Sequence, residues 1–418
     1  MEIKFTSISD YMKIWKESIE NPLSFWERIA SKLVWFKKWD KVLDYKSPSE
    51  YRWFAGGKIN ITYNAIDRWL STKSTQLALI WENEIGNVNK LTYQDLHREI
   101  SKVSKGLKEL GVNKGDRIML YMPMIPEAMI IMLATARIGG IHTVVFSGFG
   151  KRALIDRITS AKPKVIFTAD ITYRRGKSIE LKSVLDDALK EAPVEHVIVL
   201  DRESKSNFKE GRDLEYNEFI AKGYPSIDVE PVESTDPLFI LYTSGTTGKP
   251  KGVVHAMGSY TVWAYFHNNW LFDFNNSVFL STSDIGWING HSYSTYGPLL
   301  NGGTVLWFEG VLSGNKIWEL VEKYKVNYIW TAPTLVRQLM KEGSSADGYD
   351  ISNLKIIVTA GEILGGDAFD WLKKFSPIVF ETWGQTENSG YIASPGGMAI
   401  GLLPIKKVSK FTSTKYRY

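Results

Sequence analysis

Apolar positions in the first part of the chain repeat with a helical spacing, over residues 10–19 and again over 22–33. Apolar residues that recur every three or four positions favour amphipathic helices. A turn follows at Gly56 and Gly57, and the whole segment is rich in tryptophan and tyrosine. The pattern predicts an N-terminal helical cap over residues 1–65.

From about residue 66 onward, short apolar runs alternate with amphipathic stretches. The predicted strands cover 117–121, 143–146, 165–168, 304–308, 328–331 and 355–360. The predicted helices cover 93–110, 126–138, 153–160, 317–324 and 334–340. Such alternation predicts an α/β fold, with two βαβ-type subdomains of mainly parallel sheets flanked by helices. We expect the second subdomain to begin at Pro237 and the polar segment 201–211 to be a surface loop between the halves.

Composition then excludes several classes of protein. The 418 residues include 51 basic and 46 acidic ones, largely interspersed, with a net charge of +5. Such a balance is typical of a solvated surface and indicates no nucleic acid partner. The absence of cysteine excludes disulfides, thiolate metal sites and a cysteine nucleophile. No signal peptide and no run of eighteen apolar residues is present, so we expect a cytoplasmic protein with no membrane partner.

The strongest chemical signal is a glycine-rich loop. An apolar strand predicted over 238–242 leads into T-S-G-T-T-G-K-P-K-G at residues 243–252. Glycines let backbone N–H groups close around phosphate oxygens, hydroxyls add donors, and Lys249 and Lys251 offset phosphate charge. The spacing differs from that of the Walker P-loop. A flexible surface turn is the alternative interpretation of this loop taken alone.

The loop resembles the phosphate-binding signature of the adenylate-forming superfamily, which includes acyl-CoA synthetases, peptide-synthetase adenylation domains and firefly luciferase. S-D-I-G-W-I-N-G-H-S-Y at 283–293 resembles the superfamily's acyl-pocket segment, and E-T-W-G-Q-T-E at 381–387 resembles its AMP and magnesium segment. Three further strings are similar to acetyl-CoA synthetases and their short-chain relatives: W-F-A-G-G-K-I-N at 53–60, Y-M-P-M-I-P-E at 121–127 and V-V-F-S-G-F at 144–149. The resemblance covers roughly residues 1–405.

This resemblance implies ATP, Mg²⁺, coenzyme A and a small carboxylic acid as ligands, with no tightly bound prosthetic group and with magnesium arriving on ATP. The residues with implied catalytic roles are Thr246, Lys249, Lys251 and Glu387, of which Glu387 is also the metal ligand. Those implied to bind ATP or AMP are Thr243, Ser244, Gly245, Thr246, Thr247, Gly248, Lys249, Gly361, Glu362, Glu381, Thr382, Trp383, Gln385 and Thr386. The implied acyl pocket comprises Trp287, Ile288, Asn289, Ala360 and Gly384. The implied coenzyme A site comprises Arg174, Lys177, Phe146, Ser147 and Gly148.

The implied reaction needs little covalent work from the protein. The acid attacks the α-phosphate of ATP, pyrophosphate leaves, and the thiol of coenzyme A then attacks the acyl-adenylate. Positioning and charge neutralisation dominate such transfers. His255 and His291 are not needed as bases, because the attacking acid is already ionised at neutral pH. We expect His291 to shape the pocket.

Two departures from the family pattern modify this expectation. Acetyl-specific members usually carry a second tryptophan where this chain has Gly384, so its loss predicts an acid longer than acetate unless neighbouring side chains fill the space. Family members also continue into a β-barrel and a C-terminal domain that bears the adenylation lysine, and we expect that barrel to be incomplete and that domain to be absent here. We expect a cap at 1–65, an incomplete AMP-binding domain at 66–405 and an aberrant basic tail at 406–418. Loss of such a lysine commonly costs about 10²–10³ in rate.

The sequence therefore predicts an AMP-forming acyl-CoA synthetase for a short- to medium-chain acid, impaired by truncation. One alternative is a relict protein that only binds nucleotide or acyl-adenylate. A second is a half enzyme that needs a separate C-terminal fragment. A third is adenylation that serves another acceptor, such as a carrier protein, and the cap and the basic element at 174–177 weigh against it.

Overall fold

A computed structural model describes residues 8–204, 206–221, 228–244 and 248–393. Its strands are β1 (Lys41–Ser47), β2 (Glu50–Ala55), β3 (Lys58–Ile59), β4 (Leu77–Asn83), β5 (Val88–Thr92), β6 (Arg117–Tyr121), β7 (Ile141–Val144), β8 (Val165–Ala169), β9 (Ile171–Arg174), β10 (Lys177–Glu180), β11 (His196–Leu200), β12 (Asp213–Glu215), β13 (Val232–Glu233), β14 (Pro237–Thr243), β15 (Lys251–Ala256), β16 (Val278–Ser281), β17 (Thr304–Glu309), β18 (Val326–Thr331), β19 (Ile356–Thr359), β20 (Ile378–Glu381), β21 (Trp383–Gln385) and β22 (Gly390–Ala393).

The helices are α1 (Ile8–Glu20), α2 (Pro22–Ala30), α3 (Ile61–Ala65), α4 (Leu70–Lys73), α5 (Tyr93–Glu109), α6 (Pro126–Arg137), α7 (Lys151–Ala161), α8 (Lys182–Leu189), α9 (Tyr216–Ala221), α10 (Met257–Leu271), α11 (Ile288–His291), α12 (Gly297–Leu300), α13 (Lys316–Tyr324), α14 (Pro333–Lys341) and α15 (Gly366–Leu372). The α/β class and the sequence-predicted helices and strands are confirmed, and their ends agree within about three residues. The strand predicted over 143–146 ends earlier, at Val144, because Phe146 has already left the sheet to line a cleft.

Helix α5 shows how the local sequence sets an element. The Thr92 side chain accepts from the Asp95 N–H at 3.1 Å, and the Asp95 carboxylate accepts from the Thr92 N–H at 3.0 Å. This capping box satisfies two N–H groups that the first turn would otherwise leave unpaired. The apolar residues on the inward face recur at helical spacing and are buried: Leu96, Ile100, Val103 and Leu107. The helix is therefore amphipathic, as its sequence pattern predicts.

The first of two large sheets has the strand order β12-β11-β8-β6-β7-β14-β15 within the described residues. All neighbours are parallel except β14 and β15, which form an antiparallel hairpin at one edge. Two expectations were wrong here. Pro237 does not open the second subdomain, because β14 pairs with β7. The segment 201–211 does not lie between the halves, because it joins two adjacent strands of this one sheet.

The second sheet has the order β20-β19-β18-β16-β17-β4-β5 within the described residues. Its strands are parallel except for the β4–β5 hairpin at the edge. Strand β4 comes from the early part of the chain and pairs with β17 in full register, Val305 facing Leu79. In the first sheet the chain runs from β6 to β7 on one side and then to β8 on the other side of β6. The second sheet repeats this path with β16, β17 and β18. The two sheets thus share this strand connectivity, although the sequence shows no internal repeat.

Residues before the sheets add a β-hairpin to the predicted helical cap. Helix α2 buries Phe25 and Ile29, and β1 pairs with β2 in an antiparallel hairpin that the sequence pattern did not predict. Trp39 packs edge-on to Phe54, with ring centroids 5.2 Å apart. These aromatic contacts explain why this segment is rich in tryptophan, since large rings supply core area.

Helix α6 is almost entirely buried, which agrees with the apolar run at 128–134 within it. Its Arg137 is 3% exposed and is paired with Asp67, whose carboxylate lies 2.8 Å from the guanidinium.

Among the described residues, no helix combines the length and apolar character needed to cross a lipid bilayer.

Candidate active site

A cleft of about 1160 Å³ lies between the two sheets. It is lined by residues that follow the carboxyl ends of parallel strands: Pro123 after β6, Phe146 after β7, Asp284 after β16, Gly310 after β17 and Gly361 after β19. Doubly wound sheets bind ligands at these ends, where neighbouring connections diverge to opposite faces. The topology therefore places one large concave site at the junction of both subdomains.

The cleft brings together many of the sequence-predicted site residues. Those that line it are Phe146, Ser147, Gly148, Arg174, Trp287, Ile288, Asn289, Ala360, Gly361, Glu362, Gly384, Gln385 and Thr386. The described candidates that do not line it are Lys177, Thr243, Ser244, Gly248, Lys249, Glu381, Thr382, Trp383, Glu387 and Lys251. Gly245, Thr246 and Thr247 lie outside the described residues, as does the predicted basic tail at 406–418.

The glycine-rich loop connects the two antiparallel strands of an edge hairpin. Thr243 ends β14 and pairs with Lys251, which begins β15. Gly248 has φ +81°, a left-handed conformation that glycine adopts without a side-chain penalty. Lys249 and Lys251 are exposed, so both ammonium groups are available to an anionic ligand at this end of the first sheet.

The segment after β16 forms one wall of the cleft. Trp287 is half exposed, with its ring centroid 6.4 Å from that of Phe146, while Ile288 is 8% exposed. Asp284 accepts from the Gly286 N–H at 2.7 Å. Burial in the cleft raises the pKa of Asp284 to about 6, against the opposing effects of the Gly286 N–H and Arg174. A carboxyl with a pKa near 6 is a candidate functional group, and the sequence analysis gave Asp284 no individual role, although it lies in the predicted acyl-pocket segment.

The segment after β20 faces the cleft from the second sheet. Thr382 is buried, and its hydroxyl donates to the Thr359 carbonyl at 3.1 Å. Trp383 is 63% exposed, whereas Gly384 lines the cleft. Glu381 accepts from the Leu364 N–H at 3.0 Å. Glu387 is exposed in a short 3₁₀ turn that spans Thr386–Asn388.

Glu362, on the loop after β19, is held by two neighbours. Its carboxylate accepts from the Thr334 hydroxyl and lies 2.6 Å from the Arg337 guanidinium. The Thr334 hydrogen bond, with help from Arg337, lowers the pKa of Glu362. The side chain is therefore ionised and oriented before any ligand arrives.

The two histidines of the motif segments are buried behind the cleft wall. Burial lowers the pKa of His255 to about 4 and that of His291 to about 3. The Nδ1 atom of His255 lies 3.2 Å from the Ser389 hydroxyl, and that of His291 lies 3.3 Å from the Trp287 carbonyl. Neither side chain lines the cleft. Both are neutral at pH 7 and tie motif segments to their surroundings.

Basic residues on a second short hairpin lie at another side of the cleft. Strands β9 and β10 form this basic hairpin, with Arg174 paired to Lys177 across a turn made by Arg175 and Gly176. The guanidinium carbon of Arg174 lies 5.8 Å from the centre of the Phe146 ring. The hairpin thus puts one cation of the predicted coenzyme A site into the cleft and leaves Lys177 exposed beside it.

The fold and these motif segments define an adenylate-forming type of enzyme domain, and comparison with known proteins agrees. The family model described as AMP-binding enzyme matches residues 66–409, and the one described as acetyl-coenzyme A synthetase N-terminus matches residues 11–65. The chain belongs to the AMP-binding enzyme family.

Two relatives illustrate the similarity. The acetyl-coenzyme A synthetase of Pyrobaculum arsenaticum is 44% identical over 96% of this chain and 63% of its own length. That of Deinococcus radiodurans is 44% identical over 91% of this chain and 61% of its own length. A solved structure, acetoacetyl-CoA synthetase from Streptomyces lividans, superposes with a TM-score of 0.85 at 25% identity, over 92% of this chain and 61% of that one. The chain thus spans a little over three fifths of the length of these relatives.

Proposed function

We propose that this chain carries the adenylation site of an AMP-forming ligase that joins a carboxylic acid to coenzyme A. The observation that supports this most is the convergence of three separate motif segments on one cleft. Residues 146–148 come from the first sheet, and 287–289 and 384–386 come from the second. A site shared by two sheets can hold a nucleotide and an acid in one geometry, which is the main requirement of this transfer.

The proposed chemistry begins with displacement at phosphorus. An oxygen of the carboxylate attacks the α-phosphorus of ATP, and the bond to pyrophosphate breaks. The thiolate of coenzyme A then attacks the acyl carbon, and AMP leaves with the electron pair. Lys249 and Lys251, both exposed at the end of the first sheet, supply positive charge for the phosphates. Thr246 and Thr247 would add hydroxyl donors, and Thr386 would reach the α-phosphate region.

Magnesium is proposed to enter with ATP and to meet the protein at Glu387. Among the described residues, no group of three or more histidine, aspartate or glutamate side chains is arranged to hold a metal. A single exposed carboxylate suits Mg²⁺ that keeps phosphate oxygens and water as its other ligands. Charge on the triphosphate would then be shared between the metal and the loop lysines.

The adenosine is proposed to lie against the segments after β19 and β20. Trp383 offers an exposed indole on which a base can stack, since it is 63% accessible. Gly361 and Glu362 line the cleft, and Glu362 is already fixed by Arg337. Glu381 and Thr382 are engaged with the protein, so we assign them to holding this segment in place and to backbone contacts with the nucleotide.

The acid is proposed to be larger than acetate. Ile288, Ala360 and Gly384 line the cleft together, and the residue at 384 contributes no side chain. Each additional buried methylene is worth about 0.8 kcal/mol, so an open pocket favours a longer acid. Acetyl-coenzyme A synthetases are among the relatives, while one similar solved structure is an acetoacetyl-CoA synthetase, whose acid is longer. We therefore propose a short- to medium-chain acid that is larger than acetate.

Coenzyme A is proposed to bind at the side of the cleft that carries the basic hairpin. Arg174 and Phe146 line the cleft within cation–π distance of each other, with Ser147 and Gly148 beside them. A phosphate of the coenzyme would meet Arg174 and Lys177, because a guanidinium on a fixed strand can bind phosphate in a defined geometry.

An exchange assay tests the proposal. ATP–pyrophosphate exchange is measured with acetate, propanoate, butanoate and hexanoate, and we expect acid-dependent exchange that peaks beyond acetate. The variant Lys249→Ala should lower exchange, whereas Lys16→Ala, at an exposed position on α1, should not. Binding of MgATP without exchange for any acid would contradict the enzymatic proposal and leave a nucleotide-binding protein. A series that peaks at acetate would contradict the assignment of the pocket.

A further inference from the structure

The turn of the basic hairpin is in a strained conformation. Arg175 has φ +54° and Gly176 has φ +70°, as a two-residue hairpin turn requires. Glycine accepts this conformation, but arginine does so at a cost. A non-glycine residue in this region persists where its surroundings hold it there.

One carboxylate joins the turn to the second sheet. Glu84 follows β4, and its Oε1 accepts from the Gly176 N–H at 2.6 Å, while its Oε2 accepts from the Val311 N–H at 3.1 Å. The Glu84 N–H donates to the Glu309 carbonyl at 3.0 Å. A single side chain therefore bridges the basic hairpin and the loop that follows β17.

The space for this carboxylate depends on Gly310. A Cβ built on Gly310 would lie 2.4 Å from Glu84 Oε2 and 2.9 Å from Glu84 Cβ, and its φ of +134° is also unsuited to other residues. The F-E-G-V sequence at 308–311 thus leaves room for a carboxylate to reach across. Gly310 and Val311 both line the cleft, so the bridge lies at its edge.

A buried ion pair crosses the same boundary nearby. The carboxylate of Glu309, which is 2% exposed, accepts hydrogen bonds from both terminal nitrogens of Arg202, at 2.6 and 2.8 Å. Arg202 also lies over the ring of Tyr173, in the strand that carries Arg174. The Thr172 hydroxyl donates to Glu309 at 3.4 Å. Glu84 and the Arg202–Glu309 pair together form what we call the clasp.

We propose that Glu84 is a positioning residue for coenzyme A binding, because the clasp holds the basic hairpin, and with it Arg174, against the cleft. The inference rests on the proposed function, in that it takes this hairpin to bind the phosphate of the coenzyme. It goes further in assigning the hairpin's geometry to a residue outside every motif. Glu84 does not itself line the cleft. Its side-chain hydrogen bonds go to the basic hairpin and to the loop after β17, whereas the adenosine is assigned to the segments after β19 and β20. Removal of the Glu84 carboxylate should therefore weaken coenzyme A binding and leave nucleotide binding unchanged.

Equilibrium binding measures this without turnover. Calorimetric titrations of coenzyme A and of MgATP are run on the full chain, on Glu84→Ala and on Glu84→Gln. We expect Glu84→Ala to weaken coenzyme A binding roughly tenfold, a typical factor for loss of one charge-assisted hydrogen bond, with MgATP affinity unchanged. Glu84→Gln retains an acceptor oxygen and should recover part of the loss. If Glu84 merely repelled an anionic ligand, both variants would bind coenzyme A more tightly.

Hydrogen exchange provides the readout that does not depend on a ligand. Mass spectrometry of peptides that cover residues 171–180 should show faster exchange in Glu84→Ala, since the Gly176 N–H loses its acceptor. The matched control is Glu322→Ala, because Glu322 accepts from the Asp350 N–H at 2.9 Å in a surface contact away from the cleft. This control should change neither coenzyme A binding nor exchange of the hairpin.

The results separate this inference from the proposed function. Unchanged coenzyme A affinity in Glu84→Ala, equal losses for coenzyme A and MgATP, or unchanged exchange in the hairpin would each overturn the role of Glu84. Failure of the wild-type chain to bind coenzyme A would also overturn it, even if pyrophosphate exchange proceeds. A selective loss of coenzyme A binding in a chain that exchanges no pyrophosphate would support the clasp and contradict only the ligase proposal.

Discussion

Mild acid should destabilise this protein through histidines that are buried without charge. His142, His255 and His291 surround Phe239, with ring centroids 5.4, 4.6 and 4.5 Å from it. His142 and His291 are fully buried, and His255 is 5% exposed. Burial lowers the pKa of all three, to about 4 for His255 and about 3 for His291. The perturbation is a change from pH 7.5 to pH 5.

The magnitude follows from proton linkage. In the unfolded chain a histidine has a pKa near 6.5, so at pH 5 its side chain is protonated in the unfolded state but still neutral in the folded state. The stabilisation is complete above pH 6.5 and is lost as pH falls toward the folded pKa. At pH 5 the loss is about 2 kcal/mol for each of His255 and His291, or about 4 kcal/mol together. That is a large share of a typical stability of about 5–15 kcal/mol. Asp284, whose pKa is raised, acts in the opposite direction.

Urea unfolding at pH 7.5, 6.0 and 5.0, followed by tryptophan fluorescence, measures the effect. His255→Gln and His291→Gln should each remove about 2 kcal/mol of the difference between pH 7.5 and pH 5, whatever they do to stability at pH 7.5. His196→Gln, at the partly exposed start of β11, is the control and should keep the full difference. Wild-type stability that is equal at pH 7.5 and pH 5, or variants whose free energy of unfolding falls between these pH values as much as that of wild type, would contradict this role of the histidines.

Three substitutions test other parts of the molecule. Gly384→Trp should lower pyrophosphate exchange with hexanoate relative to acetate roughly a hundredfold, since four methylenes at about 0.8 kcal/mol each lose their pocket; an unchanged ratio would show that residue 384 does not bound the acid. Glu387→Gln should raise the Mg²⁺ concentration for half-maximal exchange about tenfold, and an unchanged value would move the metal elsewhere. Glu309→Gln should destabilise the fold by about 3 kcal/mol, because Arg202 loses a buried partner. Asp44→Asn, at an exposed ion pair, should leave the urea midpoint unchanged, and equal midpoints for the two variants would contradict this reasoning.

Much of the cleft could be predicted because its walls follow recognisable strand ends. The runs before Phe146, Asp284 and Gly361 are apolar and short, and each breaks into glycine or polar residues where the sheet ends. Parallel strands place their carboxyl ends at one edge of a sheet. Motif segments that each follow such a strand were therefore expected to lie close together. Local patterns also predicted α5 and α6, since burial there follows one helical face or the whole helix.

Sheet membership could not be predicted in the same way. The apolar runs of β4 and β14 look alike, yet β4 joins the second sheet and β14 joins the first. What decides this is pairing with strands far along the chain, which no local periodicity encodes. The contacts of Glu84, Arg202 and Glu309 were missed for the same reason. The strings W-E-N-E at 81–84 and W-F-E-G at 307–310 could have indicated these contacts. In both, acidic residues interrupt or end an apolar run, and a buried carboxylate needs a partner.

The placement of β4 has a consequence for how this chain comes to be folded. Strand β4 leaves the ribosome early, but its parallel partner β17 begins only at Thr304. Until then one edge of the β4–β5 hairpin carries unpaired N–H and C=O groups, which other chains can bind. Strands β14 and β15 meanwhile complete the earlier sheet from the middle of the chain. Each sheet therefore contains strands from both the early and the later part of the chain. If the chain were cut in the segment 228–236, the first piece would lack β14 and the second would lack β4. Neither piece could then complete its own sheet.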